Sequence, residues 1–147
     1  MAYTFHAFIG PMRARGGGRL VGIGSVAGIR GLPGSEAYCA SKSAVITYCE
    51  SLRVEMQKYG IGVTTLCPGF VRTPLTAQNP YKMPFILEPE EFASQAIDAI
   101  RKGKSYAVIP WQMGLLAKIL RVLPNPLFDR ILAHRKQKPR VSSTTKL

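Results

Sequence analysis

With 147 residues, 46% apolar and 19% charged, the chain is long enough for one domain with a packed core and too apolar to be disordered. Its three scattered cysteines, Cys39, Cys49 and Cys67, form no C-x-x-C pair and stand far from His6 and His134. That argues against a disulfide framework and against a metal site (none is expected), and it suits a reducing cytoplasm. The net charge of +12 raises nucleic acid and anionic lipid as partners. The excess lies mostly beyond Arg101, where Asp129 is the one acid. The basic residues there match no nucleic-acid module, and no aromatics interleave with them as a stacking platform, so no nucleic-acid partner is expected.

Residues 1–14 read as a helix with Tyr3, Phe5, Phe8, Ile9 and Met12 apolar, disturbed at Gly10-Pro11. There is no basic leader region, and Thr4 and His6 break the apolar run, so a signal peptide is rejected. No run of 18 apolar residues follows that could span a membrane. Arg13 to Gly18 reads as a solvated basic turn rather than a phosphate site. Leu20 to Gly24 is a short strand, expected to be buried on both faces. Gly28 to Gly34 is a loop. Ser35 is the candidate N-cap of a long helix running to about Lys58, with Gly60 as its stop. Ala37, Ala40, Ala44, Val45, Tyr48, Leu52 and Met56 make that helix apolar on more than one side, which suggests one face on a sheet and another against a partner. Ile61 to Cys67 is the next strand, ended by Pro68-Gly69. Leu75 to Leu87 reads as irregular. Glu88-Pro89-Glu90-Glu91 opens a helix with acids at its positive end, and Lys102-Gly103 closes it. Tyr106 to Ile109 is a third strand. Strand–helix–strand–helix–strand is the order of a parallel sheet with crossover helices.

Residues 112–133 are amphipathic, with Leu116, Leu120, Leu123, Leu127 and Ile131 in a stripe, Lys118, Arg121 and Arg130 interspersed, and breaks at Pro124 and Pro126. The segment fits a helix packed on its own domain, or one lying on a membrane surface. The chain thus divides into an α/β unit at 1–110, an amphipathic helical segment at 111–135, and a basic, then Ser/Thr-rich tail at 136–147 that is read as disordered.

The chemistry centres on Tyr38-Cys39-Ala40-Ser41-Lys42. Residues i and i+4 share a helix face, which brings Lys42 toward the Tyr38 hydroxyl. A free phenol titrates near ~10, and a neighbouring cation favours the phenolate, so the two form a candidate general acid/base pair. Ser25, where the first strand ends, can hydrogen-bond a substrate oxygen and the phenol together. Alone, Y-x-x-x-K is commonly surface decoration. Here Ser25-Val26-Ala27-Gly28 precedes it, Gly31-Leu32-Pro33-Gly34 lies between, and Cys67-Pro68-Gly69-Phe70-Val71-Arg72-Thr73-Pro74 follows the second strand.

That ordered set, from about residue 10 to about residue 110, resembles the short-chain dehydrogenase/reductase family. The resemblance implies hydride transfer between NAD or NADP and an alcohol/carbonyl pair. It makes Ser25, Tyr38 and Lys42 catalytic, and it places Tyr38, Lys42, Pro68, Gly69, Val71 and Thr73 at the nicotinamide end of the cofactor. It also implies a homo-oligomer paired through the 35–58 helix. The expected fold is α/β: a partial Rossmann-type parallel three-stranded sheet with flanking helices, plus a C-terminal amphipathic helix. The 75–87 segment follows Thr73 at the site mouth and reads as a lid. Its Tyr81, Met83, Pro84, Phe85 and Ile86 favour a small apolar carbonyl or alcohol.

Gly22-Ile23-Gly24-Ser25-Val26-Ala27 spells G-x-G-x-x-A after a strand, but a loop follows rather than a helix, and the first acid, Glu36, comes too early for a ribose contact. It is no nucleophile elbow either, since Ile23 stands where glycine is needed. In the family, T-G-x-x-x-G-x-G and N-N-A-G motifs precede the matching Ser, and none precedes Ser25. The expectation is the C-terminal half of the fold, truncated, with its catalytic residues kept and most of the cofactor cradle absent. The Leu20 strand edge would then be exposed. Such a chain is an oxidoreductase still, a non-catalytic module for oligomerisation or for contact with a membrane surface, or part of a longer protein whose true start lies before Met1.

Overall fold

The computed structural model describes residues 1–79 and 81–133. Three strands, β1 (Gly18–Ile23), β2 (Ile61–Pro68) and β3 (Tyr106–Ile109), form one parallel sheet in the order β1-β2-β3. Gly18 lies opposite Ile61 and Ile23 opposite Leu66, while Pro68 lies opposite Ile109. The C-terminal ends of all three strands therefore open on the same side. Parallel neighbours need crossovers, and these are α2 (Glu36–Met56) between β1 and β2, and α4 (Pro89–Arg101) between β2 and β3.

Side chains alternate across β2 and build a core on each face. Ile61 and Val63 pack with Leu52 and Met56 of α2 and with Phe5 and Met12 of α1 (Ala2–Ala14). Leu66 points the other way, onto Ala96 and Ala99 of α4. The layers are helix, sheet, helix, as the strand–helix alternation implied.

Local departures from the sequence reading have physical causes. Helix α1 runs unbroken through Pro11. Burial of Phe5 and Met12 on either side of the proline offsets its local cost of ~3 kcal/mol. Strand β1 is buried only at Leu20 and Gly22, not on both faces, because it is an edge of the sheet. Ser35 holds the N-cap position of α2, and its carbonyl accepts the Cys39 N–H at 2.8 Å, but its side chain makes no cap bond. The Glu36 carboxylate instead accepts from Gly34 N–H at 3.1 Å. At the other end α2 tightens into a 3-10 turn, Gln57–Tyr59, and stops at Gly60, whose φ of +68° is left-handed.

The 75–87 stretch is less irregular than expected. It opens with one helical turn, α3 (Pro74–Ala77), and its base is pinned where Arg72 N–H donates to Leu87 O at 2.9 Å and Leu87 N–H to Phe70 O at 3.0 Å. Residues 112–133 form two helices, α5 (Trp111–Val122) and α6 (Asn125–Leu132), broken at Pro124. Helix α5 packs on β3 with Gly114 against Val108. Among the described residues no helix is long and apolar enough to cross a membrane. The tail assigned to 136–147 lies outside the described residues.

Candidate active site

The site lies where β1 and β2 end. After Ile23 the chain stays extended through Ser25 and then tightens into a 3-10 turn, Val26–Gly28. Ser25 caps that turn, its Oγ accepting from Ala27 N–H at 3.2 Å. The residue is 7% exposed, and with its oxygen engaged by the cap, its O–H remains to donate into the cleft. The turn lies directly on α2. A Cβ on Gly28 would come within 2.7 Å of the Lys42 carbonyl carbon, so only glycine allows this approach. That contact fixes Ser25 relative to the helix that carries Tyr38 and Lys42.

Tyr38 stands in the first turn of α2 and is 50% exposed. The Lys42 ammonium lies 5.7 Å from the centre of its ring and donates to the Ile23 carbonyl at 3.1 Å. The i, i+4 spacing thus delivers the cation to the face of the tyrosine and to the end of β1 together. Gly69 N–H bonds Ile109 O at 2.8 Å, which holds the loop after β2 onto β3.

A cavity of about 530 Å³ opens between these elements and is lined by Ser25, Tyr38 and Gly69. Lys42, Pro68, Val71 and Thr73 do not line it. Val71 bridges to Leu87 at the base of the 75–87 segment. Thr73 is the N-cap of α3, its Oγ1 accepting from Thr76 N–H at 3.2 Å while Thr76 Oγ1 accepts from Thr73 N–H at 2.8 Å. Phe70, Leu75 and Asn79 also line the cavity, and in the sequence none of the three has an individual role beyond the motif around Pro68-Gly69 and the 75–87 lid in which they fall. The Asn79 amide nitrogen faces Met83 Sδ at 3.3 Å, while its oxygen is buried without a hydrogen-bond partner among the described residues. Asn before Pro reads as a turn signal, which hid it.

Cys67 and Cys49 lie beneath this floor. Burial pushes both thiols up from the ordinary value, so neither is an activated nucleophile.

The donor set fits the reacting end of a nicotinamide nucleotide. Lys42 has three N–H groups and spends one on Ile23, which leaves others for ribose hydroxyls. Ser25 and Tyr38 share the adjoining cavity, and a parallel sheet takes its ligands beyond the carboxyl ends of its strands. Strand β1 leads into a 3-10 turn rather than a helix, so among the described residues Gly22-Ile23-Gly24 opens no pyrophosphate cradle.

Known proteins resemble this chain in sequence and in fold. The family model for short chain dehydrogenases matches residues 1–83. The chain is 43% identical over 128 residues to an uncharacterized oxidoreductase of Myxococcus xanthus, covering 87% of this chain and 51% of that protein. It is 35% identical over 129 residues to human epidermal retinol dehydrogenase 2, covering 83% of this chain and 41% of that one. The fold matches a short chain dehydrogenase from Burkholderia cenocepacia solved in complex with NADP, with TM-score 0.70 and 22% identity over 86% of this chain and 52% of that one. The chain spans about half the length of the curated relatives it matches. The family match extends past every candidate residue named above, and this chain belongs to the short-chain dehydrogenase family.

Proposed function

We propose that the chain carries the proton-transfer machinery of an NAD- or NADP-dependent oxidoreductase acting on an alcohol/carbonyl pair. The observation that carries this reading is the convergence of Ser25 and Tyr38 on one cavity, with Lys42 anchored on Ile23 beside them. The nicotinamide, when bound, supplies or accepts the hydride. Tyr38 gives the proton to the oxygen in reduction, or takes it in oxidation. Ser25 O–H donates to the same oxygen and stabilises the charge that develops there. Lys42 places a positive charge beside the phenol as its proton departs, and its remaining N–H groups bind the ribose. Gly69 forms the cavity wall beside the reacting end, while Pro68, Val71 and Thr73 hold the loop that carries it. Leu32, Phe70 and Leu75 make the wall apolar, which favours an apolar substrate. The retinol dehydrogenase relative, by its name, acts on an apolar alcohol.

The test is a fluorescence titration with NADH and NADPH, followed by carbonyl reduction by wild type and Tyr38→Phe. Saturable binding is expected, with turnover abolished in the variant and its melting temperature unchanged. Normal turnover by Tyr38→Phe overturns the assignment.

A second reading, an interaction module, is favoured by a separate observation. Trp111, Leu115, Ile119 and Val122 form an exposed apolar stripe on α5 beside Lys118, with Trp111 70% and Val122 80% exposed. Such a stripe suits an anionic membrane surface. Co-sedimentation with anionic vesicles, lost in Trp111→Glu, supports it, and no sedimentation with vesicles excludes it. Self-association through residues 35–58, where Val54 is exposed, is tested by light scattering of wild type and Val54→Glu.

A further inference from the structure

Beside the catalytic cavity lies a second chamber of about 430 Å³. The two share walls, since Val26, Leu32, Phe70 and Tyr81 line both. On its far side stand Met113, Leu116 and Leu120, from one face of α5. This lining is apolar, with Arg30 and Lys82 as its charged members. A void with few polar groups on it is suited to hydrocarbon rather than to water.

Arg30 ties the ends of the far wall together. Arg30 Nη1 donates to the carbonyls of Leu120 and Leu123, the latter at 2.7 Å, and Nη2 donates to Asn125 Oδ1 at 3.0 Å. Its guanidinium carbon stands 3.7 Å from the centre of the Phe128 ring on α6. The last carbonyls of a helix have no intrahelical partner, and Arg30 satisfies those of α5 while stacking on α6. Arg121 returns a bond from α5 to Ile29 O at 3.1 Å. The loop that walls the catalytic cavity is thereby tied to the helices that wall the chamber. A planar fork that serves several acceptors and stacks on a ring is a property of arginine that lysine lacks.

We propose that this chamber is a subsite for the apolar body of an extended carbonyl or alcohol substrate, and that Arg30 is the positioning residue that holds its far wall. The proposal rests on the reaction assigned above and adds the shape of its substrate: a polar head at Ser25 and Tyr38, and a hydrocarbon tail reaching α5.

The test is calorimetric binding of straight-chain methyl ketones, from hexanone to dodecanone, to the intact chain. Affinity is expected to rise about four-fold per added methylene, the value for burying a CH₂ group, until the chamber fills. Leu116→Trp fills the chamber from its wall and should bring the plateau to shorter chains. Arg30→Gln should flatten the rise, and Arg30→Lys should not restore it. A loss of packing alone would lower the melting temperature without changing the dependence on chain length. A flat series in wild type, or a plateau that Leu116→Trp does not move, overturns the proposal. Chain-length-dependent binding without turnover of any ketone would count against the reaction and leave the subsite standing. Turnover of short ketones with a flat series would count against the subsite alone.

Discussion

Lys42 Nζ donates to the carbonyl of Ile23 across 3.1 Å, and this bond joins the last residue of β1 to the second turn of α2. It does two things for the site. It keeps the ammonium from swinging into solvent, and it holds α2 at a fixed height above the strand end from which Ser25 departs.

Replacing Lys42 with Met keeps the aliphatic stem and removes the charge. A hydrogen bond of this kind contributes about 1–3 kcal/mol, so a small fall in melting temperature is expected. The effect on turnover should be much larger, about 100-fold or more, because a positioned proton-transfer system is disabled. Steady-state kinetics beside a thermal melt checks the split. Equal losses in both would show that Lys42 is structural only.

Gly28→Ala introduces a methyl group 2.7 Å from the Lys42 carbonyl carbon, which is backbone and cannot swing aside. The 3-10 turn must lift from α2, at about 1–3 kcal/mol, and Ser25 moves with it. Urea unfolding should show the loss in stability, and turnover should fall further than stability alone explains. Gly69→Ala meets the Met113 side chain at 2.8 Å, which can change rotamer, so it should be the milder of the two.

The thiols of Cys49 and Cys67 are held protonated by burial. Their folded values lie above the ordinary thiol value of about 8.5. The unfolded chain therefore loses these protons first as pH rises. Their contribution to stability is complete below about pH 8.5 and is lost progressively above it. Thermal melts from neutral to strongly alkaline pH should be level and then decline, with Cys67→Ala showing a shallower decline. Slow alkylation of the native thiols near pH 8, and rapid alkylation in urea, is the companion observation.

Thr73→Val removes the hydroxyl that caps α3 while keeping the side-chain shape. About 1 kcal/mol of local stability should be lost, seen as faster proteolysis within 75–87. Thr73→Ser should behave as wild type.

Most of the frame could be read from the sequence, because periodicity and punctuation are local signals. Gly60, Pro68-Gly69, Pro89 and Gly103 bound their elements where the chain chemistry requires it, and Tyr38 and Lys42 share a face because a helix turns every 3.6 residues. What escaped depends on partners distant in sequence. Arg30 reads as one more loop cation until α5 and α6 are placed beside it. Thr73 reads as a cofactor contact, and the role its bonds to Thr76 show is that of a cap. Helix α5 reads as having one apolar stripe, and the fold shows a buried side at Met113 and Ala117 and another exposed at Trp111 and Val122. Strand β1 reads as buried on both faces because its residues are apolar, whereas the cover over each face is a property of the sheet and not of the strand.

The Gly28 contact has a consequence for how the proposed site can be changed. Ser25, Tyr38 and Lys42 ride on one continuous stretch, β1 through the 3-10 turn into α2, which is locked to itself through backbone. The walls that would recognise a substrate come from elsewhere, from the 75–87 segment and from α5. Reactivity and selectivity are thus inherited by separable pieces of chain. New tastes can be tried on the outer helices while the proton-handling unit is left undisturbed.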